Sequence, residues 1–257
     1  EDDDVDGVKQ SLAYYAALGV ERVRLSAEAE RAESFRQAGQ LKDAVIAGVS
    51  HDLRTPLTTI KALAHGLAIR GESDAASIEA EADRLNRMVA DLLDLSRLNA
   101  NAMPLHVELN LADDIIGVAL QRIQGPRGER IIHVTAVDGP SLGAQCDLVQ
   151  AVRVLVNLLE NALKYSPPAE PIDVMVQRRD DRLEFTVADR GPGIPTAERD
   201  RVFTPFYRPP NTPPDVGGAG LGLAIARRLA EAQQGTVRVE SRDGGGSLLH
   251  FDLPFAE

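Results

Sequence analysis

Val49, Leu53, Leu57, Ile60, Leu63 and Leu67 recur at spacings of three and four residues. That is the period of one helix face, and a chain carrying it must bury the stripe against something. After the polar turn at 71–74 comes a second stripe: Ile78, Ala82, Leu85, Val89, Leu92 and Leu93. Two amphipathic helices joined by a short turn fold back as an antiparallel hairpin. One hairpin cannot cover both stripes well, whereas two hairpins paired as a dimeric four-helix bundle would. Upstream, from Val8 to Ile69, the only proline is Pro56 and glycines are sparse. The first helix therefore reads as long, or as two helices nearly in line, as in a coiled coil or bundle.

At about 100° per residue, His51 falls about 160–180° from the centre of the first stripe, on the face toward water. Beside it stand Asp52, Arg54 and Thr55. Pro56 interrupts the apolar pattern, removing one backbone donor and crowding the carbonyl of Asp52, so it predicts a bend close to His51. An exposed histidine alone is most often part of a solvated face. A mid-helix proline costs on the order of 3 kcal/mol, and that cost lies within one turn of the only conspicuous chemistry on the helix.

The net charge of −11 disfavours nucleic acid and anionic membrane surfaces as partners. Aromatics are 4% and Trp is absent, so the core must be Leu, Val, Ile and Ala. A single cysteine, Cys146, excludes an internal disulfide and a cysteine metal cluster. No apolar run approaches the ~18–20 residues of a membrane span, so the chain is expected to be cytoplasmic with no direct membrane contact. It begins Glu-Asp-Asp-Asp without Met, and reads as a piece of something longer in which a span could lie elsewhere.

Beyond a linker at 99–104 the texture changes. Residues 105–109 alternate like a strand, 112–123 read as helix, and 130–137 are strand-like. A strongly apolar helix covers 147–165. Residues 172–177 and 183–188 are β-rich neighbours, 220–234 is a helix, and 236–240 and 247–253 are closing strands. Strands with helices segregated between them predict a mixed sheet covered on one face.

Four clusters in this half carry chemistry. Asn157, Asn161 and Lys164 share one helix face, backed by Leu155, Leu158, Leu159 and Ala162. Amides suit a hydrated Mg²⁺ and the lysine suits phosphate; a solvated stripe is the bland alternative. Asp189-Arg190-Gly191-Pro192-Gly193 follows a strand, with an acceptor for an exocyclic amine and glycines that admit a flat ligand. Phe203-Thr204-Pro205-Phe206-Tyr207-Arg208 precedes a Pro-rich loop, like an anchored hinge before a lid, or a hydrophobic plug. Gly217-Gly218-Ala219-Gly220-Leu221-Gly222 opens a helix, leaving free N–H groups of the kind phosphates prefer. The preceding Pro-rich loop and the glycine spacing reject a dinucleotide fingerprint, and there is no P-loop.

Together these residues resemble the sensor histidine kinases. Ser50-His51-Asp52-Leu53-Arg54-Thr55-Pro56-Leu57 is similar to the family's H box, and the four clusters to its N, G1, F and G2 boxes, in order, over residues 40–257. Within the family the chain resembles the potassium-responsive KdpD type, and residues 13–32 are similar to the exit helix of a GAF-type sensor domain. The fold implied is α+β: a long helical hairpin forming a dimeric four-helix bundle, then a two-layer α/β sandwich ATP-binding domain of the gyrase, Hsp90 and histidine-kinase type. The implied domains are a signalling helix (1–39), a dimerisation and phosphotransfer domain (40–103) and a catalytic domain (104–257).

The resemblance implies ATP-dependent phosphorylation of His51, with Asp52 orienting or deprotonating the ring. The phosphoryl group then passes to an aspartate of a cognate response-regulator receiver domain. Thr55 matches the position that aligns a water for dephosphorylating that partner. Asn161 would ligate Mg²⁺. Asn157, Lys164, Tyr165 and Arg208 would line the phosphates, and Gly218, Gly220, Leu221 and Gly222 would hold them under the lid. Asp189 would accept from the adenine amine, with Gly191 and Gly193 flooring the base. ATPase relatives carry a glutamate base where this chain has Asn157, which cannot deprotonate water, so the nucleophile must come from elsewhere. Ala219 departs from the common Thr of the G2 box, and the lid is unusually Pro-rich. A kinase-silent nucleotide-binding dimer acting as phosphatase or conformational relay is the alternative.

Overall fold

The computed structural model describes residues 57–65, 67, 73–99, 103–137, 142–210, 212 and 219–256. His51, Asp52, Thr55, the bend expected at Pro56, the N-terminal helix with its GAF-like segment, and Gly218 lie outside the described residues. Residues 57–65 form helix α1, and Ser73–Asn99 form α2. Lys61 Nζ donates to Asp83 Oδ1 at 2.6 Å, and His65 Nδ1 lies 3.2 Å from Glu79. Partners descend α2 as they ascend α1, which is the antiparallel hairpin the two stripes predict. Ala82, Val89 and Leu93 are buried, whereas Ile60, Leu63, Ile78 and Leu85 of the same stripes stay exposed in the single chain.

The second half runs β1 (Glu108–Leu111), α3 (Ala112–Arg122), the single turn α4 (Gln124–Arg127), β2 (Ile132–Ala136), β3 (Gly143–Cys146) and α5 (Leu148–Tyr165). It continues with β4 (Ile172–Arg179), β5 (Arg182–Ala188), α6 (Gly222–Ala232), β6 (Thr236–Ser241) and β7 (Ser247–Ala256). One seven-stranded sheet has the order β1-β3-β7-β5-β4-β2, with β6 also paired to β7. The β2–β4 pair is parallel and the others are antiparallel, so the sheet is mixed as expected. Period-two alternation turns Val174, Val176, Leu183, Phe185, Val187, Leu249, Phe251 and Leu253 toward the helices, where all are buried. Phe185 and Phe251 stack across the β5–β7 pair, with ring centroids 5.6 Å apart. Helices α3, α5 and α6 cover this face, with α5 packed against both of the others. Cys146, at the end of β3, is sealed into the same core.

The first strand differs from the sequence reading. Residues 105–109 alternate, yet β1 pairs only from Glu108 to Leu111, opposite β3. His106 N donates instead to the Asp147 carboxylate at 2.9 Å. The same carboxylate caps α5 by accepting from Gln150 N at 3.1 Å. At the other end of α5, Arg130 donates to the carbonyls of Leu163 and Ser166, groups the helix itself leaves without partners.

Candidate functional site: a cleft between α5, the end of β5 and the start of α6

Helix α5 fixes the site because one face is wholly apolar. Leu155, Leu158, Leu159 and Ala162 are fully buried, and that orients Asn157, Asn161 and Lys164 along the opposite side, four and three residues apart. Burial lowers the Lys164 ammonium, and the neighbouring Arg208 guanidinium lowers it further. Lys164 Nζ also sits 4.9 Å over the Tyr165 ring. Burial raises the Tyr165 phenol, against the opposing pull of Arg208. Two cations crowded together at a half-buried site are an arrangement that an anion relieves.

Asp189 follows the last residue of β5 and is 3% exposed. Its Oδ1 accepts from Gly191 N at 2.7 Å and from Ser247 N at 3.2 Å. Burial pushes the carboxyl up, and these amide bonds oppose the rise. The Ser247 hydroxyl bonds the same carboxyl, and a carboxylate with about four lone-pair sites keeps further acceptor capacity toward the cleft it lines. Gly191 is tight against the carbonyl of Tyr165, which a Cβ would meet at 2.9 Å, so the loop after β5 lies directly on the end of α5. Ser166 Oγ ties the same loop down by accepting from Arg190 N at 3.0 Å.

Gly220 has φ +72, and a Cβ there would meet the Tyr207 carbonyl at 2.8 Å. Phe206 N donates to Gly220 O at 3.0 Å, so the aromatic segment and the glycine-rich segment are stitched together. Leu221 is 2% exposed and anchors the first turn of α6, and Gly222 opens that helix. Asn157 turns inward to this helix start. Its Nδ2 donates to the Arg153 carbonyl at 2.9 Å, and its Oδ1 would lie 3.0 Å from a Cβ at Gly222.

A cleft of about 430 Å³ gathers Asn157, Asn161, Lys164, Tyr165, Asp189, Gly193, Arg208, Gly220, Leu221 and Gly222. Gly191 lies behind Asp189 rather than on the wall. The volume is in the range of small-molecule and cofactor sites. Sequence reasoning missed several wall residues: Glu160, Ser247, and Arg84, Arg87, Met88 and Asp91 of α2. Ser247 reaches Asp189 through strand register, and the α2 residues arrive by packing of the hairpin, so no local motif marks them. Among the described residues, no group of three or more His, Cys, Asp or Glu could hold a metal by itself. An amide beside a lysine, a side chain suited to phosphate, fits a hydrated Mg²⁺ carried in on phosphates rather than a protein cage.

Residues 146–257 match the family of histidine kinase-, DNA gyrase B- and HSP90-like ATPases, which defines the class of this cleft as ATP-binding. Residues 41–101 match the His Kinase A (phospho-acceptor) domain. The sensor protein KdpD of Mycobacterium tuberculosis is 34% identical over 261 residues, covering 97% of this chain and 30% of that protein. The crystal structure of full-length ShkA in complex with AMPPNP aligns with TM-score 0.68 and 29% identity over 83% of this chain and 46% of that one. The mycobacterial sensor histidine kinase MprB aligns with TM-score 0.52 and 30% identity over 58% of this chain and 98% of that one. The chain belongs to the sensor histidine kinases. It spans about a third of the length of the KdpD relatives it matches. Among the described residues, no helix is long and apolar enough to cross a membrane.

Proposed function

We propose that the protein is the kinase core of a two-component sensor, with a phosphotransfer domain at 40–103 and a catalytic domain at 104–257. In this reading ATP phosphorylates His51, and the phosphoryl group then passes to a response-regulator aspartate. The observation that carries the reading is the cleft. It joins a buried acceptor, Asp189, to two amides and two cations on the wall that faces α6. Asp189 takes the adenine amine, with Gly193 beneath the base and Gly191 holding the Asp189 carboxylate through its amide. Lys164, Tyr165 and Arg208, with the backbone of Gly218, Gly220, Leu221 and Gly222, hold the phosphates. Asn161 would hold Mg²⁺, which supplies charge neutralisation at the transferring phosphoryl group.

Asn157 supports a transferase rather than a hydrolase. An amide that donates to the Arg153 carbonyl cannot take a proton from water. Neutral imidazole, by contrast, is nucleophilic near pH 7. Family likeness assigns Asp52 to the imidazole and Thr55 to dephosphorylation of the regulator. The exposed Ile60, Leu63, Ile78 and Leu85 support a homodimer that buries them in a four-helix bundle.

The test is incubation with γ-labelled ATP and Mg²⁺. Acid-labile, alkali-stable label that disappears in His51→Ala is the expected result. A folded, ATP-binding protein that takes no label would leave only the silent-relay alternative.

A further inference from the structure

Helix α2 packs chiefly against α6, and its acidic side reaches across to α5 through an ion pair. Asp94 Oδ2 accepts from Arg153 Nη2 at 2.5 Å, and each side chain is about a quarter exposed. One turn back, Asp91 is within electrostatic reach of Arg153 and Glu160, and a further turn back Arg87 is within reach of Glu160, all three of Arg87, Asp91 and Glu160 lining the cleft. The electrostatic pairings therefore descend α2 as they ascend α5, toward Asn161 and Lys164. Leu95 and Leu98, each 6% exposed, join the same apolar cluster as Leu155, so α2 is seated on the catalytic layers and not merely beside them. Arg84 is already engaged by Glu81 at 2.6 Å on its own helix. Arg87 lines the cleft beside Glu160, the residue that precedes Asn161.

We propose that Arg87 is a further nucleotide-binding residue, delivered by the phosphotransfer hairpin to the phosphate end of the cleft, and that the Asp94–Arg153 ion pair holds it there. The inference rests on the reading of the cleft as the ATP site. A guanidinium carries several donors in a planar fork suited to phosphate oxygens. At this end of the cleft it would join Lys164 and Arg208. Nucleotide binding and docking of α2 are then linked, and by thermodynamic reciprocity each strengthens the other.

The experiment measures binding of AMPPNP with Mg²⁺, and of adenosine, to the 257-residue chain. Arg87→Ala is expected to weaken AMPPNP by about three- to fivefold, the upper part of the range of a partly exposed charge contact, and to leave adenosine unchanged because it has no phosphate. Arg87→Lys should recover part of the loss. Asp94→Ala should weaken AMPPNP to a similar degree, and the double variant should lose no more than either single variant. The charge swap Asp94→Arg with Arg153→Asp should restore binding. Asp189→Ala serves as the control. If it abolishes AMPPNP binding while Arg87→Ala and Asp94→Ala leave it within a factor of two, the hairpin contribution is overturned and the site stands. If AMPPNP still binds normally to Asp189→Ala, the site reading itself is overturned and this inference with it.

Discussion

At the residue scale, Asp189 separates structure from recognition. One carboxylate oxygen accepts two backbone amides, from Gly191 and Ser247, and the residue also lines the cleft. Asparagine can keep the first oxygen and replaces the second with a donor. Asp189→Asn is therefore expected to melt within a few degrees of the parent but to lose ATP affinity by about 10- to 150-fold, the range of a hydrogen bond to a charged group. Asp189→Ala leaves one buried and one part-buried amide unsatisfied and should also lower stability, by about 2–3 kcal/mol. Calorimetric melting beside nucleotide titration checks both, and equal losses in the two variants would contradict the division of labour. The sequence made Asp189, Asn161 and Lys164 legible because spacing and a strand end announce them. It could not announce Ser247, Asp91 or Arg87, whose roles arise from strand register and helix docking.

At the scale of elements, α5 is the piece on which the site depends. Leu158→Ala removes a fully buried side chain and is expected to cost about 2–5 kcal/mol. Asp147→Ala removes the cap on α5 and the acceptor for His106 N together, and should cost about 1–2 kcal/mol or more. Urea unfolding measures each; a change under half a kilocalorie for Asp147→Ala would remove it from this account. The helices and hairpin strands were legible because their periods are strong. β3 was not, since Gly-Ala-Gln-Cys has neither β-branched residues nor alternation. It is a strand because of its neighbours: a Cβ at Gly143 would meet Ala256 O at 2.8 Å and Leu109 Cδ1 at 2.9 Å. Without β3 as partner, the start of β1 could not be read correctly either.

At the scale of the whole molecule, hairpin and catalytic layers meet across ionisable groups, so docking should respond to pH. Burial pushes the Asp91 carboxyl up to about 6, opposed by Arg153 and Arg87 and assisted by Asp94 and Glu160. A carboxyl held above its free value binds more protons docked than free, so its contribution is full at low pH and is lost as pH rises through about 6. Burial lowers the His250 imidazole, which slopes the other way, and other carboxyls are shifted too, so the raw melting curve mixes several groups. The difference between wild type and Asp91→Asn isolates the effect. The asparagine variant should gain on wild type between pH 5 and 7.5, as followed by melting temperature and amide exchange in α2. A flat difference would mean that Asp91 is hydrated and that α2 does not dock as described. The exposed half of each hairpin stripe belongs to the same scale: light scattering should give two chains per particle, and Leu63→Glu should shift the mass toward one.

Cys146 makes these energies measurable without an engineered label. Burial lifts its thiol to about 11 and closes it from solvent, so an alkylating reagent at neutral pH waits until the sheet parts from its helices. The alkylation rate therefore counts global openings, and its lengthening under saturating AMPPNP converts directly into binding free energy. The molecule carries its own stopwatch, sealed in the apolar core at the end of β3.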